Sequence, residues 1–296
     1  MASTSSTPTG GHVTASDLVL LLTLSTLWGA SYTFIRIGVA TIPPLTLIAA
    51  RTLIAGTGLL VWMRIRRIPM PRDIAVWRRF LVQALLNSVV PFTLIAWAER
   101  SVEAGLATIL NSASPVLAFL GTWLITRHER LTARKLFGVV AGLVGIGLVV
   151  GVSALDGLGR QWVPQLAIYG RSFNGLSPAA PAAGSLVVGA MLLVPASIVV
   201  DRPWTLAPSW QSLAALVALA VLSTAVAFVI YFRLVRTLGP VGTTAQAYLR
   251  VPIGVAISIA LLGESLSASA WLGLGCVVAG VAAMTLPSRG ARKQGA

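Results

Sequence analysis

Long apolar runs separated by short polar stretches make up almost the whole of the 296-residue chain. A transmembrane helix needs about twenty mostly apolar residues to cross the hydrocarbon core of a bilayer. Nine runs meet this requirement closely enough to be predicted as spans, and they cover residues 18–39, 45–63, 80–98, 104–126, 136–152, 184–200, 213–232, 241–262 and 269–286. The pattern therefore predicts an all-α integral membrane protein with almost no room for a soluble domain.

The composition and charge agree with this prediction. Of the residues, 56% are hydrophobic and only 10% are charged. A net charge of +14 would suggest nucleic-acid binding in a soluble protein, but Lys and Arg concentrate here in alternate loops, over 64–79 and 127–135. The positive-inside rule makes those loops and the N-terminus cytoplasmic. We expect the lipid bilayer to be a partner and nucleic acid not to be one.

Part of the chain is repeated. Gly105 and Pro115 recur 137 residues later as Gly242 and Pro252. Four further residues recur 135 residues later, pairing Glu129 with Glu264, Leu131 with Leu266, Gly138 with Gly273 and Gly145 with Gly280. Internal repeats of this kind are typical of secondary transporters.

The repeat predicts the domain organisation. We expect a disordered tail over 1–16, a first repeat over 17–152, a second over 153–286 and a basic cytoplasmic tail over 287–296. Five spans in each repeat give an odd number, so the two copies lie in opposite orientations. The fold class is therefore two inverted five-helix repeats, with about ten spans.

The sixth span of this scheme is shortened. Its stretch contains Asp156, Arg160 and Pro164, and its apolar core, 162–169, is about half the length that a span needs. If the stretch crosses, most basic residues of the second half lie in the cytoplasm; otherwise they lie outside, against the positive-inside rule. We therefore expect ten crossings and a cytoplasmic C-terminus. The alternative is a deletion that impairs folding or transport.

Short motifs spread along the chain resemble those of a known family. The resemblance rests on residues 28–31, 43–44, 51, 114–115, 248–252, 129–131 and 264–266, the last two forming a Glu-x-Leu step in each repeat. In this order, the chain resembles the EamA-type ten-span permeases of the drug/metabolite transporter superfamily. The family often has Gly before that Glu, a pattern that Gly263 keeps and His128 does not. The resemblance implies a midplane cavity and a multi-pass protein of a bacterial inner membrane with both termini in the cytoplasm.

Two arginines stand well inside predicted spans. A central Arg costs about 2.5–3.5 kcal/mol on insertion scales, so each needs a partner or a water-filled cavity. Arg250 is predicted to meet a substrate carboxylate, or else to bond the carbonyls freed by Pro252. Arg51 lies nearer a helix end, where snorkelling to the membrane surface is easier.

Polar side chains within spans extend the candidate substrate-binding set. Besides Arg250 and Arg51, they are Tyr32, Asn87, Asn111, Ser112, Thr244, Gln246 and Tyr248. Hydrogen bonding between helices is the other use of such residues. Pro115 and Pro252 each remove a helical hydrogen bond and are candidate hinges, with simple helix shaping as the alternative.

Small residues and acids add further expectations. Gly138 with Gly142, and Gly147 with Gly151, favour close helix packing, within the subunit or in a homodimer. The duplicated Glu129 and Glu264 are expected to anchor helix starts. No Asp or Glu lies in mid-span, and the nearest acids, Glu99 and Glu103, belong to an outer loop. A relay of buried carboxylates is therefore not expected.

The absence of other motifs narrows the function. The chain has no GxxxxGK phosphate loop, no Cys/His cluster for a metal and no catalytic triad spacing, so we expect no enzyme activity and no cofactor. The predicted function is a secondary transporter that exports small metabolites or amino-acid-like solutes by alternating access. The alternatives are an integral-membrane enzyme, which would need acidic or His residues clustered at one face, and a non-transporting paralogue.

Overall fold

The computed structural model describes residues 14–112, 133–150, 177, 179–238, 243 and 246–285. Within these ranges the chain forms helices and no strand. The helices are α1 (Ala15–Gly38), α2 (Pro44–Ile65), α3 (Ile74–Ala84), α4 (Val90–Ala98), α5 (Ala104–Ser112), α6 (Ala133–Val150), α7 (Ala179–Val200), α8 (Trp210–Ala220), α9 (Ala227–Thr237), α10 (Gln246–Leu262) and α11 (Ala268–Thr285). Each of the nine predicted spans overlaps at least one of these helices, and the spans 80–98 and 213–232 each overlap two, so the all-α membrane fold is confirmed.

Among the described residues, five helical segments are long and apolar enough to cross a membrane: Ala15–Gly38, Pro44–Ile65, Ile74–Ala98, Ala179–Val200 and Trp210–Thr237. Shorter apolar helices cover Leu136–Leu148, Leu249–Leu262 and Ala268–Gly280. Large apolar side chains are exposed on their outer surfaces, among them Leu53, Val61, Val144, Met191 and Val199. Such a surface suits contact with lipid tails and would be unfavourable in water.

Helix starts follow from local sequence. Thr14 begins α1, because its side chain accepts a hydrogen bond from the Asp17 amide while the Asp17 side chain accepts one from the Thr14 amide. Asp73 caps α3 through the Ala75 amide at 2.8 Å, and Ser209 caps α8. Each cap satisfies an amide that the helix itself leaves free.

Two widened π-helical turns stand at equivalent places in the two repeats. One joins α3 to α4 over Leu85–Val89, and the other joins α8 to α9 over Val221–Val226. Their first residues are 136 positions apart, which agrees with the spacing of the sequence repeat. Turns of this type are rare and are often found at functional sites. The sequence analysis did not predict them.

Glycine packing joins the last helix of one repeat to the last helix of the other. A Cβ atom added to Gly145 would lie 2.7 Å from the carbonyl oxygen of Gly273, and one added to Gly280 would lie 2.7 Å from that of Gly138. In the sequence repeat, Gly138 corresponds to Gly273 and Gly145 to Gly280. Exchanging the two repeats therefore turns the first contact into the second. The later glycine of α6 contacts the earlier glycine of α11, and the earlier glycine of α6 contacts the later one of α11, so the two helices run antiparallel.

Two other helix pairs give consistent directions. On α2, the Thr46 hydroxyl lies 2.8 Å from that of Ser197 on α7, whereas Gly56 lies against Leu186, so these helices are antiparallel. On α1, Gly29 packs against the backbone of Gly254 on α10, and the Ser25 hydroxyl donates to the Gln246 carbonyl at 3.4 Å. Residues later in α1 contact residues later in α10, so these two helices run parallel.

The directions bear on the number of crossings. The short connections 39–43 and 263–267 reverse the chain between α1 and α2 and between α10 and α11. Because α6 is antiparallel to α11 and α7 is antiparallel to α2, it follows that α6 and α7 run in the same direction. Two helices that followed one another directly across the membrane would run in opposite directions. That agrees with a further crossing between them, in a stretch that lies almost entirely outside the described residues. The shortened sixth span stays a prediction.

We expect the glycine contacts between α6 and α11 to control stability. Gly145→Ala and Gly280→Ala should each cost about 1–3 kcal/mol, because the new methyl overlaps a backbone carbonyl. Gly147→Ala and Gly275→Ala are matched controls in the same two helices, because an added Cβ meets nothing within 4 Å at either position. Thermal unfolding of the detergent-purified protein, followed by fluorescence-detected gel filtration, measures the difference. Equal midpoints for all four variants would contradict this packing.

The same comparison bears on the predicted glycine packing. Gly138 and Gly142 do form a close-packing surface within the subunit, since both lie against the position of Gly280. Gly147 makes no such contact within the subunit, because the space around it is open, and packing in a homodimer stays a prediction. Its predicted partner, Gly151, lies outside the described residues.

Candidate functional site

Arg51 is held inside the bundle and not at its surface. The residue lies two turns into α2 and is only 5% exposed. Its Nε donates to the Thr224 hydroxyl at 3.0 Å, and its guanidinium carbon lies 4.1 Å from the centre of the Phe92 ring. An aromatic face stabilises a desolvated guanidinium by roughly 2 kcal/mol. This position does not fit the alternative that Arg51 snorkels to the membrane surface, and its predicted part in substrate binding stays a prediction.

One nitrogen of Arg51 makes no such contact. Its Nη1 is buried and has no hydrogen-bond partner within the described structure. A buried group left in this state costs about 1–3 kcal/mol, and more when it is charged. A carboxylate accepts two parallel hydrogen bonds from a guanidinium, so an anionic solute would remove that cost.

Thr224 reaches Arg51 because of the widened turn between α8 and α9. Its hydroxyl donates to the carbonyl of Leu219, five residues back, at 2.8 Å. The same oxygen is thereby left to accept from Arg51 Nε. The irregular turn thus supplies an oriented acceptor inside a helix from the second repeat.

Tyr32 extends the site to α5. Its hydroxyl accepts a hydrogen bond from Asn111 Nδ2, which joins the middle of α1 to α5. Tyr32 is buried and lies within electrostatic reach of Arg51, Arg250 and Glu99. Four of the predicted residues, Tyr32, Arg51, Asn111 and Arg250, are therefore brought into one region, to which both repeats contribute.

The remaining predicted residues are less closely tied to this region. Asn87 lies in the π-helical turn after α3, and the buried Gln246 side-chain oxygen has no hydrogen-bond partner in the described part of the chain. Pro252 lies within α10 with its ring exposed. The side chains of Ser112 and Tyr248, and the whole of Thr244 and Pro115, lie outside the described residues.

Glu99 differs from what the sequence suggested. It follows Ala98 at the end of α4, as an outer-loop residue should, but it is completely buried. Neither carboxyl oxygen has a hydrogen-bond partner among the described residues. Its backbone carbonyl accepts a bond from Arg36 Nη1 at the end of α1. Burial raises the pKa of the Glu99 carboxyl well above its ordinary value, although the charge of Arg36 acts in the opposite direction.

Glu264 has a structural role, as expected. Its two oxygens accept from the amides of Ala104 and Gly105, at 2.8 and 2.9 Å, and so cap the start of α5. Gly263, with a φ of +65°, ends α10 in a left-handed turn that brings Glu264 back toward α5. The repeat partner, Glu129, lies outside the described residues.

Sequence reasoning missed two residues of the site. Phe92 gave no polar signal because its contribution is an aromatic face. Thr224 could have been found from the repeat, since it lies 136 residues after Ser88, beside the predicted Asn87. No group of three or more His, Cys, Asp or Glu side chains that could hold a metal occurs in the described ranges.

Comparison with known proteins places the chain in a family. Residues 16–151 and 166–286 each match the EamA-like transporter family. The chain is 29% identical over 280 residues to the inner membrane transporter YedA of Escherichia coli strain K12, covering 90% of this chain and 89% of YedA. It is 25% identical over 288 residues to the transporter YvbV of Bacillus subtilis strain 168, covering 92% of each. A solved crystal structure shares the fold with a TM-score of 0.58 at 18% identity, over 92% of this chain and 98% of that one. The chain therefore belongs to the EamA-like transporter family and is a multi-pass membrane protein of the drug/metabolite transporter superfamily.

Proposed function

We propose that this transporter exports small metabolites or amino-acid-like solutes by alternating access, and that it binds an anionic group of the solute at Arg51 and Arg250. The observation that carries the proposal is the buried Arg51, with Nε engaged by the opposite repeat and Nη1 unpaired. A buried cation with a free donor needs an anion or water, and a carboxylate meets that need best.

The antiparallel pairs support alternating access. Helices α2 and α7, and α6 and α11, join equivalent parts of the two repeats in opposite directions. A rocking motion of one repeat against the other would then exchange the outer and inner ends of the bundle. Arg51 and Thr224 lie on opposite sides of such a movement. A solute bound between them would contact both repeats.

Pro252 keeps its place as a hinge candidate. It interrupts the hydrogen bonding of α10, two residues before the Gly254 contact with α1. A kink there would change the angle of α10 while the glycine contact acts as a pivot. Pro115 is proposed for the same role by its repeat position.

An integral-membrane enzyme is the weaker alternative. The family and its relatives are transporters, and the site consists of arginine, amide and hydroxyl groups without an evident nucleophile or metal set in the described residues. The other alternative, a non-transporting paralogue, would have the same fold, but no solute would cross the membrane in a proteoliposome flux assay.

The guanidinium geometry of Arg51 should be essential for transport. In proteoliposomes containing the purified protein and a mixture of ¹⁴C-labelled L-amino acids, Arg51→Lys should lower flux about tenfold or more, because an ammonium loses the bond to Thr224 and the planar contact with Phe92. Arg100→Lys is the matched control, since Arg100 is exposed at the same end of the bundle. Normal flux in Arg51→Lys would remove Arg51 from the binding site.

Arg250 should act on the solute and not on the fold. Arg250→Ala should nearly abolish amino-acid flux while the protein still accumulates in the membrane and elutes as a single species in gel filtration. Arg250→Lys should retain part of the flux, since it keeps the charge but loses bidentate bonding. If the Ala variant fails to accumulate, Arg250 is structural and this part of the site is wrong.

The cytoplasmic C-terminus is also a proposal. The end of the bundle where α1 finishes is the outer end. Arg66, Arg67 and Arg72 lie at the opposite end, where α2 finishes. A reporter that is active only in the cytoplasm should work when fused after Ala296. The same reporter should fail within the loop 201–209, which lies at the outer end. The reverse result would overturn the ten-crossing arrangement.

A further inference from the structure

A carboxyl group without a visible function is buried at the outer end of the bundle. Glu99 is 0% exposed, and Oε1 and Oε2 both lack a hydrogen-bond partner within the described structure. An ionised carboxylate in this state loses its hydration, which costs several kcal/mol, and gains no hydrogen bond in return; the charges of Arg36 and Arg51 offset only part of that cost. Adding one proton removes the charge and most of that cost. The surroundings therefore favour the neutral acid.

The charged and titratable groups around Glu99 come from several elements. They are Arg36 and Tyr32 on α1, Arg51 on α2, and Glu264 after α10. Arg36 donates to the Glu99 backbone carbonyl, and Arg51 donates to Thr224 and stacks on Phe92. None of these groups makes a hydrogen bond to the Glu99 carboxyl in the arrangement described.

Glu264 shows what a structural acid looks like at the same end. Both of its oxygens are occupied by backbone amides of α5. Glu99 has no such role, although its side chain is the more deeply buried of the two. Packing alone would be served as well by an uncharged side chain. A free carboxyl beside two arginines is instead suited to gaining and losing a proton.

We propose that the Glu99 carboxyl is a proton-binding site whose loading and unloading is coupled to solute movement, an inference that rests on the proposed transport function. In the arrangement described, Glu99 holds one proton as the neutral acid. When the outer end opens, a proton from the outer solution binds the carboxylate and forms the O–H bond of the neutral acid. When the bundle instead opens toward the cytoplasm, the O–H bond breaks, the proton passes to water on that side, and the carboxylate is left beside Arg36 and Arg51, so one proton crosses the membrane in each cycle. The sequence predicts no relay of mid-span carboxylates, and this proposal places a single carboxyl at the end of a span.

Infrared spectroscopy tests the proton itself. The purified full-length protein in lipid should show the C=O stretching band of a protonated carboxyl at neutral pH, and the band should be lost in Glu99→Gln. Glu103→Gln is the matched control, because Glu103 lies only four residues away and is not fully buried; it should keep the band. A wild-type protein without the band, or a band that persists in Glu99→Gln, overturns the proposal.

Proteoliposomes test the coupling. With the same ¹⁴C-labelled amino-acid mixture, an imposed difference of one pH unit should shift the steady-state distribution by up to about tenfold for one proton per solute. The shift should persist in Glu103→Gln and Glu99→Asp, which keep a carboxyl at the site, and should be lost in Glu99→Gln. A shift that is unchanged in Glu99→Gln, or that follows a sodium gradient in place of the pH gradient, overturns the coupling.

The two proposals fail in different ways. If no amino acid crosses in the wild type, the proposed function and the coupling fall together, while the infrared band still decides whether Glu99 binds the proton. If amino acids cross but the band or the pH response does not depend on Glu99, the transport function stands and the proton site is wrong.

Discussion

Close backbone contact between helices of the two repeats is the constraint on which the rest of the structure depends. Lipid tails are as apolar as leucine, so burying apolar side chains drives helix association only weakly in a membrane. Close van der Waals packing must replace it, and small residues allow that packing. Gly145 against Gly273 and Gly280 against Gly138 bring α6 and α11 together, and Gly29 against Gly254 does so for α1 and α10. These contacts also set the helix directions, and hence the inversion of the repeats.

Polar bonds across the repeat boundary complete the arrangement. Glu264 caps α5, and Asp201 accepts from both the amide and the hydroxyl of Thr46 near the start of α2. In both cases an acid from the second repeat satisfies the start of a helix in the first. Such bonds hold the outer end in its present arrangement, yet each can be replaced by water when that end opens.

The site differs from this frame because its polar groups are not all satisfied. Arg51 Nη1, the Gln246 side-chain oxygen and the Glu99 carboxyl are buried without partners in the described part of the bundle. A chain under selection for stability alone would pair or replace them, since each costs free energy. Arg51 and the Glu99 carboxyl lie within electrostatic reach of each other, and Thr224 from the second repeat binds Arg51; this combination distinguishes a binding region from a merely packed core.

The sequence by itself determined the class of fold. Length, apolar runs and loop charges predicted the membrane helices, and the spacing of Gly138, Gly145, Gly273 and Gly280 predicted the duplication, because these depend only on one-dimensional patterns. An anchoring role for Glu264 was also predictable from its place at a helix end, although the helix that it caps, α5, is brought to it only by the fold. Four predicted polar residues do lie together, although periodicity alone gave no reason to prefer them to the other five.

Only the tertiary structure decided the environment of each charge. The sequence left open whether Arg51 reaches the membrane surface or faces the bundle interior; Thr224 and Phe92 hold it inside, and neither contact has a signal in the local sequence. Glu99 has the sequence position of a loop residue, and its burial comes from helices that lie far away in the chain. The physical reason is that solvation depends on which elements surround a side chain in three dimensions. Hydropathy along the chain reports only how often a residue type is buried.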